Sequence, residues 1–193
     1  MAGPSPIGAG HLCRRWIKRW LRAVPRCMTD DQVDGYLARI GATRPAWADA
    51  DTLRELQILH LYSVPFENLS IHLGERIDLA EAALYDKLVS RRRGGFCYEL
   101  NGAFAMLLTA LGFRVSLLGA CVWGGEGVGP PFDHLALRVD LNVPWLADVG
   151  FGSFSHYPLR LDVRTEQSDP GGAFRIQDAA AGDHDVLRDG EPQ

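Results

Sequence analysis

No run of apolar residues in this 193-residue chain approaches the roughly 20 needed to cross a bilayer as a helix, and the first thirty residues lack the apolar core of a secretory signal. Cysteine is scarce: four residues, at 13, 27, 97 and 121, with no CxxC pair, while the six histidines do not fall at metal-ligand spacings. Neither a disulfide framework nor a zinc site is indicated, so reduced thiols, no metal and a cytoplasmic location are the expectation. Acid is missing from residues 1–27, which carry Arg14, Arg15, Lys18, Arg19, Arg22 and Arg26. The remainder then holds 14 basic against 24 acidic residues, a charge of −10. Such an acidic body is a poor partner for nucleic acid.

What is present is enough apolar material for a substantial core, 47% of the residues, in one large domain or two small ones. Leu12, Trp16, Ile17, Trp20, Leu21 and Val24 recur at helical spacing opposite the basic side chains. They read either as a membrane-surface helix or as a segment outside the folded domain, and 1–27 is set apart as a basic extension. From Met28 the signals sharpen. Thr29 is the N-cap of a helix with Val33, Tyr36, Leu37 and Ile40 on one face, and Gly41 stops it. Further helices fit 49–63, closed by Val64 and Pro65, then 78–92, and finally Cys97 to Leu111, stopped by Gly112. Past Gly112 the period shortens to alternation and short apolar runs at 114–123, 133–141, 145–151, 157–163 and 173–178, separated by Gly, Pro and Asn turns. These predict an antiparallel sheet or a partly closed barrel, with a loosely held polar tail from about 176.

The chemistry begins at "RRRGGFCYELNGAF", residues 91–104. Cys97 opens a helix directly behind Gly94 and Gly95, and the positive end of a helix beside cations favours a thiolate. N–H groups at the same helix start offer an oxyanion site. A cysteine on a helix is also a common buried residue, so the local context leaves nucleophile and core thiol open. A nucleophilic cysteine needs a base and a group to orient that base. "FDHLALRVDLNVPWLADVGFG" supplies His134 in one strand and Asp148 in the next, which a hairpin would set almost opposite each other. Alternation puts His134 on the face of Ala136 and Arg138, away from Leu135, Leu137 and Val139. Asp148 lies inside an apolar run, where a carboxylate needs a partner. "GGEGVGPP", 124–131, matches a phosphate-binding loop only in glycine content and reads as a connection.

Four ordered segments, "VPFENLSIHLG", "RRRGGFCYELNGAFAMLLTALGF", "FDHLALRV" and "WLADVGFG", resemble the successive signatures of the arylamine N-acetyltransferases over residues 28 to about 175. The resemblance implies an α+β fold: an N-terminal helical bundle (28–112) ending in the nucleophile helix, then an antiparallel β-barrel (113–193), around a cysteine-protease-like core. It implies a catalytic triad of Cys97, His134 and Asp148, a structural ion pair between Glu67 and Arg93, and an acceptor and coenzyme A loop with Phe151, Gly152 and Ser153. The implied reaction is ping-pong transfer of acetyl from acetyl-CoA, a co-substrate rather than a bound cofactor, to an arylamine, arylhydrazine or N-hydroxyarylamine. The family's third, α/β domain has no counterpart up to Gln193. An amide synthase of related chemistry and a non-catalytic remnant of the same fold are the alternatives.

Overall fold

The fold is given by a computed structural model that describes residues 28–124, 127–179 and 182–193. The basic amphipathic stretch of residues 1–27 lies outside the described residues.

Helix α1 (Asp30–Ile40) starts where the sequence places it. Thr29 Oγ1 accepts the Gln32 N–H at 3.3 Å and Gln32 Oε1 accepts the Thr29 N–H at 2.9 Å, a reciprocal cap. Gly41 ends the helix in the left-handed region at φ 75°. Helix α2 (Ala50–Ser63) is capped by Asp49, whose carboxylate accepts the Thr52 N–H at 2.9 Å. A short α3 (Leu69–His72) was not anticipated from periodicity. The helix expected over 78–92 is α4 (Glu81–Tyr85), continued by a π-helical stretch at Asp86–Ser90. That widened turn lies directly before the arginine run. Helix α5 (Cys97–Ala110) is apolar on most of its circumference and runs through the centre of the molecule, with Leu100, Phe104, Leu107 and Leu108 fully enclosed.

Among the described residues the strands form two open four-stranded antiparallel sheets and a two-stranded ribbon. The first sheet, in the order β1-β4-β5-β6, contains β1 (Arg114–Ala120), β4 (His134–Asp140), β5 (Pro144–Ala147) and β6 (Leu159–Arg160). The second, in the order β10-β9-β8-β7, contains β7 (Gln167–Asp169), β8 (Gly172–Asp178), β9 (His184–Arg188) and β10 (Glu191–Pro192). The ribbon pairs β2 (Trp123–Gly124) with β3 (Gly127–Val128), so the glycine-rich connection is a hairpin stem.

Two expectations need correction here. No closed barrel exists among the described residues, because β6 is only two residues long and β7–β10 pair with one another rather than extending the first sheet. The segment beyond 176 is not a loose tail either. Ile176, Val186 and Leu187 are buried, and β8 and β9 are zipped in register from Phe174↔Arg188 to Asp178↔His184.

The core is layered. Leu137, Val139, Ala147 and Val149 pack on the helical side with Tyr36, Leu53, Leu100 and Phe104. Leu118, Ala136, Leu146 and Leu159 pack on the other side with Phe174, Ile176 and Val186 of the second sheet. The first sheet is thus covered on both faces, which is why β4 carries a nearly continuous apolar run instead of alternation. The result is a mixed helix-and-sheet fold with antiparallel sheets. Among the described residues no helix is long and apolar enough to cross a membrane.

Candidate active site

Cys97 occupies the first turn of α5, where the N–H groups of an α-helix have no acceptor in the preceding turn. The approach to it is built by glycines. Phe66 and Gly95 form an isolated parallel bridge, with the Glu67 N–H donating to the Gly95 carbonyl at 2.9 Å and the Gly95 N–H to the Pro65 carbonyl at 3.3 Å. A Cβ on Gly94 would collide with the Pro65 carbonyl, so only glycine lets the two backbones meet this closely. Arg39, 7% exposed, fixes the same region from α1. Its guanidinium donates to the carbonyls of Leu88 at 3.0 Å, Ser63 at 2.6 Å and Arg92 at 3.4 Å.

Under the loop lies an ionic network, buried at Lys87, Glu99 and Ser70 and open to solvent at Glu75. Glu67 accepts from Arg93 Nη2 at 2.9 Å and caps the Leu69 N–H at 2.8 Å. Lys87 Nζ sits 2.8 Å from both oxygens of Glu99 and 3.7 Å from Glu67. Glu99 in turn accepts the Phe96 N–H at 3.1 Å, the residue before the cysteine. Ser70 joins the set by accepting from Lys87 at 3.2 Å and Arg93 at 3.3 Å and donating to Glu75 at 2.8 Å. The anticipated Glu67–Arg93 pair is therefore present in the geometry, as one edge of a larger cluster.

His134 and Asp148 come together on the other side of Cys97. Their side chains meet at 2.6 Å between His134 Nε2 and Asp148 Oδ2, and both residues are 4% exposed. The hairpin does not set them opposite each other. Leu137 faces Ala147, so the register of β4 and β5 would carry Asp148 across from Ala136, two residues from His134. The contact is a diagonal one, completed because β5 ends at Ala147 and Asp148 turns out of the ladder. Nor is His134 on a solvated face: Ala136, on the same side of β4, belongs to the inter-sheet core.

Asp148 is held from three directions. Its Oδ1 accepts from Asn101 Nδ2 at 2.8 Å and from the Gly150 N–H at 2.8 Å. Its own N–H donates to Gln57 Oε1 at 3.3 Å. Asn101 also donates to the Leu135 carbonyl at 2.6 Å and accepts the Val149 N–H at 2.9 Å, which ties α5 to β4 and to the segment that follows β5. Gln57 Nε2 donates to the carbonyls of Ser155 at 3.4 Å and His156 at 3.3 Å, so one α2 side chain spans both ends of the 148–156 loop. Gly150 touches α5 directly: a Cβ there would stand 2.7 Å from Cys97 Cα. Sequence patterning missed Asn101 and Gln57. The signal for Asn101 was available, since it is a polar residue one turn beyond Cys97 in the mostly apolar body of the helix; Gln57 had none.

Because Nε2 of His134 is taken by Asp148, Nδ1 is the ring nitrogen left to serve Cys97, which lies close enough to favour the protonated ring. Burial by itself would depress the imidazole, but the charge and hydrogen bond of Asp148, with a contribution from Cys97, outweigh it and raise His134 from its ordinary 6.5 to about 10. The Cys97 thiol also lies 3.9 Å from the Asp133 carbonyl. Tyr98, next in the chain, donates to the Phe132 carbonyl at 2.5 Å, and Phe132 itself is in the left-handed region at φ 66°. Phe151 meets the His134 ring edge-on at 5.0 Å and continues into Phe154 at 5.1 Å. Among the described residues no three His, Cys, Asp or Glu side chains gather closely enough to hold a metal ion.

A family model described as N-acetyltransferase matches residues 49–191. The arylamine N-acetyltransferase of Escherichia coli K12 is 42% identical over 144 residues, which are 73% of this chain and 51% of that protein. The chain belongs to the arylamine N-acetyltransferase family. The arylamine N-acetyltransferase / N-hydroxyarylamine O-acetyltransferase of Salmonella typhimurium is 40% identical over the same extent. Among solved structures, the Salmonella typhimurium arylamine N-acetyltransferase superposes with TM-score 0.76 at 36% identity, covering 86% of this chain and 62% of that one. The Mycobacterium marinum family member in complex with CoA gives 0.76 at 37%, covering 83% and 62%. The chain thus spans about half the length of the enterobacterial family members it matches.

Proposed function

We propose that this chain transfers acetyl groups from acetyl-CoA to arylamines, arylhydrazines or N-hydroxyarylamines through acetyl-Cys97, with His134 as proton carrier and Asp148 as the group that orients it. The observation that carries the reading is the contiguous set of Cys97 at a helix start, an imidazole whose charge state Cys97 influences, and a carboxylate 2.6 Å from Nε2 of that imidazole. Residues 28–112 supply the nucleophile and residues 113–193 the base and its orienter, a cysteine-protease-like division of labour. Glu67 and Arg93 steady the loop that leads into Cys97.

In the first half-reaction His134 takes the proton of the Cys97 thiol, and Asp148 holds the imidazolium that forms. The sulfur attacks the thioester carbonyl, and the negative oxygen that develops is met by N–H groups of the first turn of α5. The intermediate collapses as the C–S bond to coenzyme A breaks, and the departing thiolate takes the proton from His134. In the second half-reaction the amine nitrogen attacks acetyl-Cys97 while His134 Nδ1 accepts its proton. The Cys97 C–S bond breaks and the acetylated amine leaves. Phe151, with Gly152 and Ser153, walls the acceptor side, since Phe151 already stands against the His134 ring. A free thiol persists most readily in a reducing compartment, and the cytoplasm is the location this reading assigns.

Intact-protein mass spectrometry after addition of acetyl-CoA tests this. One acetyl group should appear on the wild type and none on Cys97→Ala, and an arylamine should discharge it. A folded wild-type sample that gains no acetyl group overturns the proposal, and acylation only by longer carrier-bound thioesters would favour an amide synthase.

A further inference from the structure

Lysine and glutamate are almost never enclosed unless they are paired, and the pair under the start of α5 is enclosed: Lys87 is 6% exposed and Glu99 3%. Lys87 Nζ donates at 2.8 Å to each oxygen of Glu99 and at 3.2 Å to Ser70 Oγ. Among the described residues it is the one cation within ion-pair distance of Glu99, since Arg93 turns to Glu67 and Glu75 on the more open side of the cluster. Lys87 is delivered there by the π-helical stretch Asp86–Ser90, whose widened turn is pinned by Arg39 on the Leu88 carbonyl at 3.0 Å. A buried ion pair is poor evidence of a stabilising role, because apolar residues of the same volume hold a core equally well or better. What distinguishes this pair is its neighbour.

Glu99 Oε2 accepts the Phe96 N–H at 3.1 Å. Standard backbone dimensions put the Phe96 nitrogen within about 5 Å of Cys97 Cα, so the carboxylate lies within about 8 Å of that atom. Its charge works in two directions. As a cap it satisfies a backbone donor at the helix start. A bare carboxylate in that turn would also oppose any negative charge that forms on the Cys97 sulfur, or on an oxygen held by N–H groups of the same turn. At about 8–12 Å and an effective dielectric constant near 20, one uncompensated charge changes such a step by about tenfold or more. Lys87, engaging both carboxylate oxygens, cancels it.

We propose that Lys87 is a positioning residue for Cys97: by neutralising Glu99 it lets a carboxylate cap the start of α5 without opposing the negative charge that builds on the sulfur and on the oxyanion. The proposal rests on the reading of Cys97 as nucleophile. His134, on the other side of Cys97, moves the proton, whereas Lys87 acts only through Glu99.

Alkylation of Cys97 by iodoacetate, an anion, and by neutral iodoacetamide is followed by peptide mass spectrometry on the full chain for wild type, Glu99→Gln, Lys87→Met and the double variant, with thermal melts alongside. A purely structural role changes the two rates together and leaves their ratio alone. Glu99→Gln keeps an acceptor for the Phe96 N–H and leaves one positive charge in excess, so the iodoacetate-to-iodoacetamide ratio should rise about threefold or more. Lys87→Met should lower the ratio by a similar factor and slow acylation by p-nitrophenyl acetate about tenfold, and the double variant should return both close to wild type. Should Lys87→Met fail to fold, as a buried carboxylate stripped of its partner can make it do, Glu99→Gln and the double variant decide by themselves. A ratio that stays at wild type in Glu99→Gln, or that moves the same way in both single variants, overturns the proposal. A wild-type Cys97 that reacts with neither reagent overturns it together with the nucleophile reading. A Cys97 that is alkylated but takes no acetyl group from acetyl-CoA removes only the acetyl-transfer reading, and the ratios still decide the role of Lys87.

Discussion

Asn101 is the residue on which the joint between α5, β4 and the segment after β5 depends, and its chemistry makes a sharp prediction. Its Nδ2 faces two acceptors, the Leu135 carbonyl at 2.6 Å and Asp148 Oδ1 at 2.8 Å, and its Oδ1 faces one donor, the Val149 N–H at 2.9 Å. Only one orientation of the amide satisfies all three. Asn101 is fully enclosed, so no water replaces a lost partner without rearrangement. Asn101→Ala strands the Val149 N–H and removes a donor from each of the other two groups. At about 1–3 kcal/mol for each buried group left unsatisfied, the loss is on the order of 2–5 kcal/mol, a large share of the roughly 5–15 kcal/mol that holds a domain together. Asn101→Asp is the more searching variant. It keeps the shape and the acceptor for Val149 but turns an oxygen toward Asp148 Oδ1 and the Leu135 carbonyl. At neutral pH it should be less stable than the alanine variant, because two carboxylates then share a dry site. Urea unfolding, read at the midpoint with the slope held in common, measures both. An aspartate variant as stable as wild type, or more stable than the alanine one, would falsify the account of how Asp148 is positioned.

Two further predictions concern pH. His134 is raised in the folded state by Asp148, so its stabilisation is fully present below the unfolded value near 6.5 and is lost as pH climbs from there toward about 10. The stability deficit of Asp148→Asn relative to wild type should therefore be largest at pH 6 and shrink steadily at pH 8 and 9.5, and a deficit that grows with pH refutes the pairing. His60 runs the other way. Burial, with the Arg39 charge adding to it, lowers His60 to about 3, and its Nε2 bonds the Tyr36 hydroxyl at 2.9 Å. The unfolded chain takes up that proton first, so stability is complete above 6.5 and falls by about 1.4 kcal/mol per pH unit below it. His60→Phe should show a shallower acid limb in urea titrations between pH 6.5 and 4.5; an identical slope would remove His60 as its cause.

Much of the helical half was legible because its signals are local. Thr29, Gly41, Asp49 and Pro65 act on their own turns, and capping chemistry needs no tertiary partner. The strands were legible as strands but not as a sheet order. Closure or its absence depends on which edges meet, and the expected barrel gave way to two open sheets because the second set of strands pairs within itself. The tail past 176 was misread for a related reason: its residues look polar when counted together, yet Ile176, Val186 and Leu187 fall on one buried face once β8 and β9 are zipped.

The candidate site divides in the same way. The kinds of residue, Cys97 behind two glycines, His134 in a strand and Asp148 in an apolar run, are properties of the sequence, because an ionisable group in an apolar segment requires a partner wherever it goes. Which partner it meets, and at what angle, belongs to the tertiary structure. Asn101 and Gln57 reach Asp148 from helices 47 and 91 residues away along the chain, and Lys87 is drawn to the start of α5 by Glu67 and Glu99. Such contacts are long-range and depend on how helices and sheet pack, which no periodicity encodes. The raised imidazole follows from the same source, since a histidine takes its proton affinity from the charges brought beside it in a place that water does not reach.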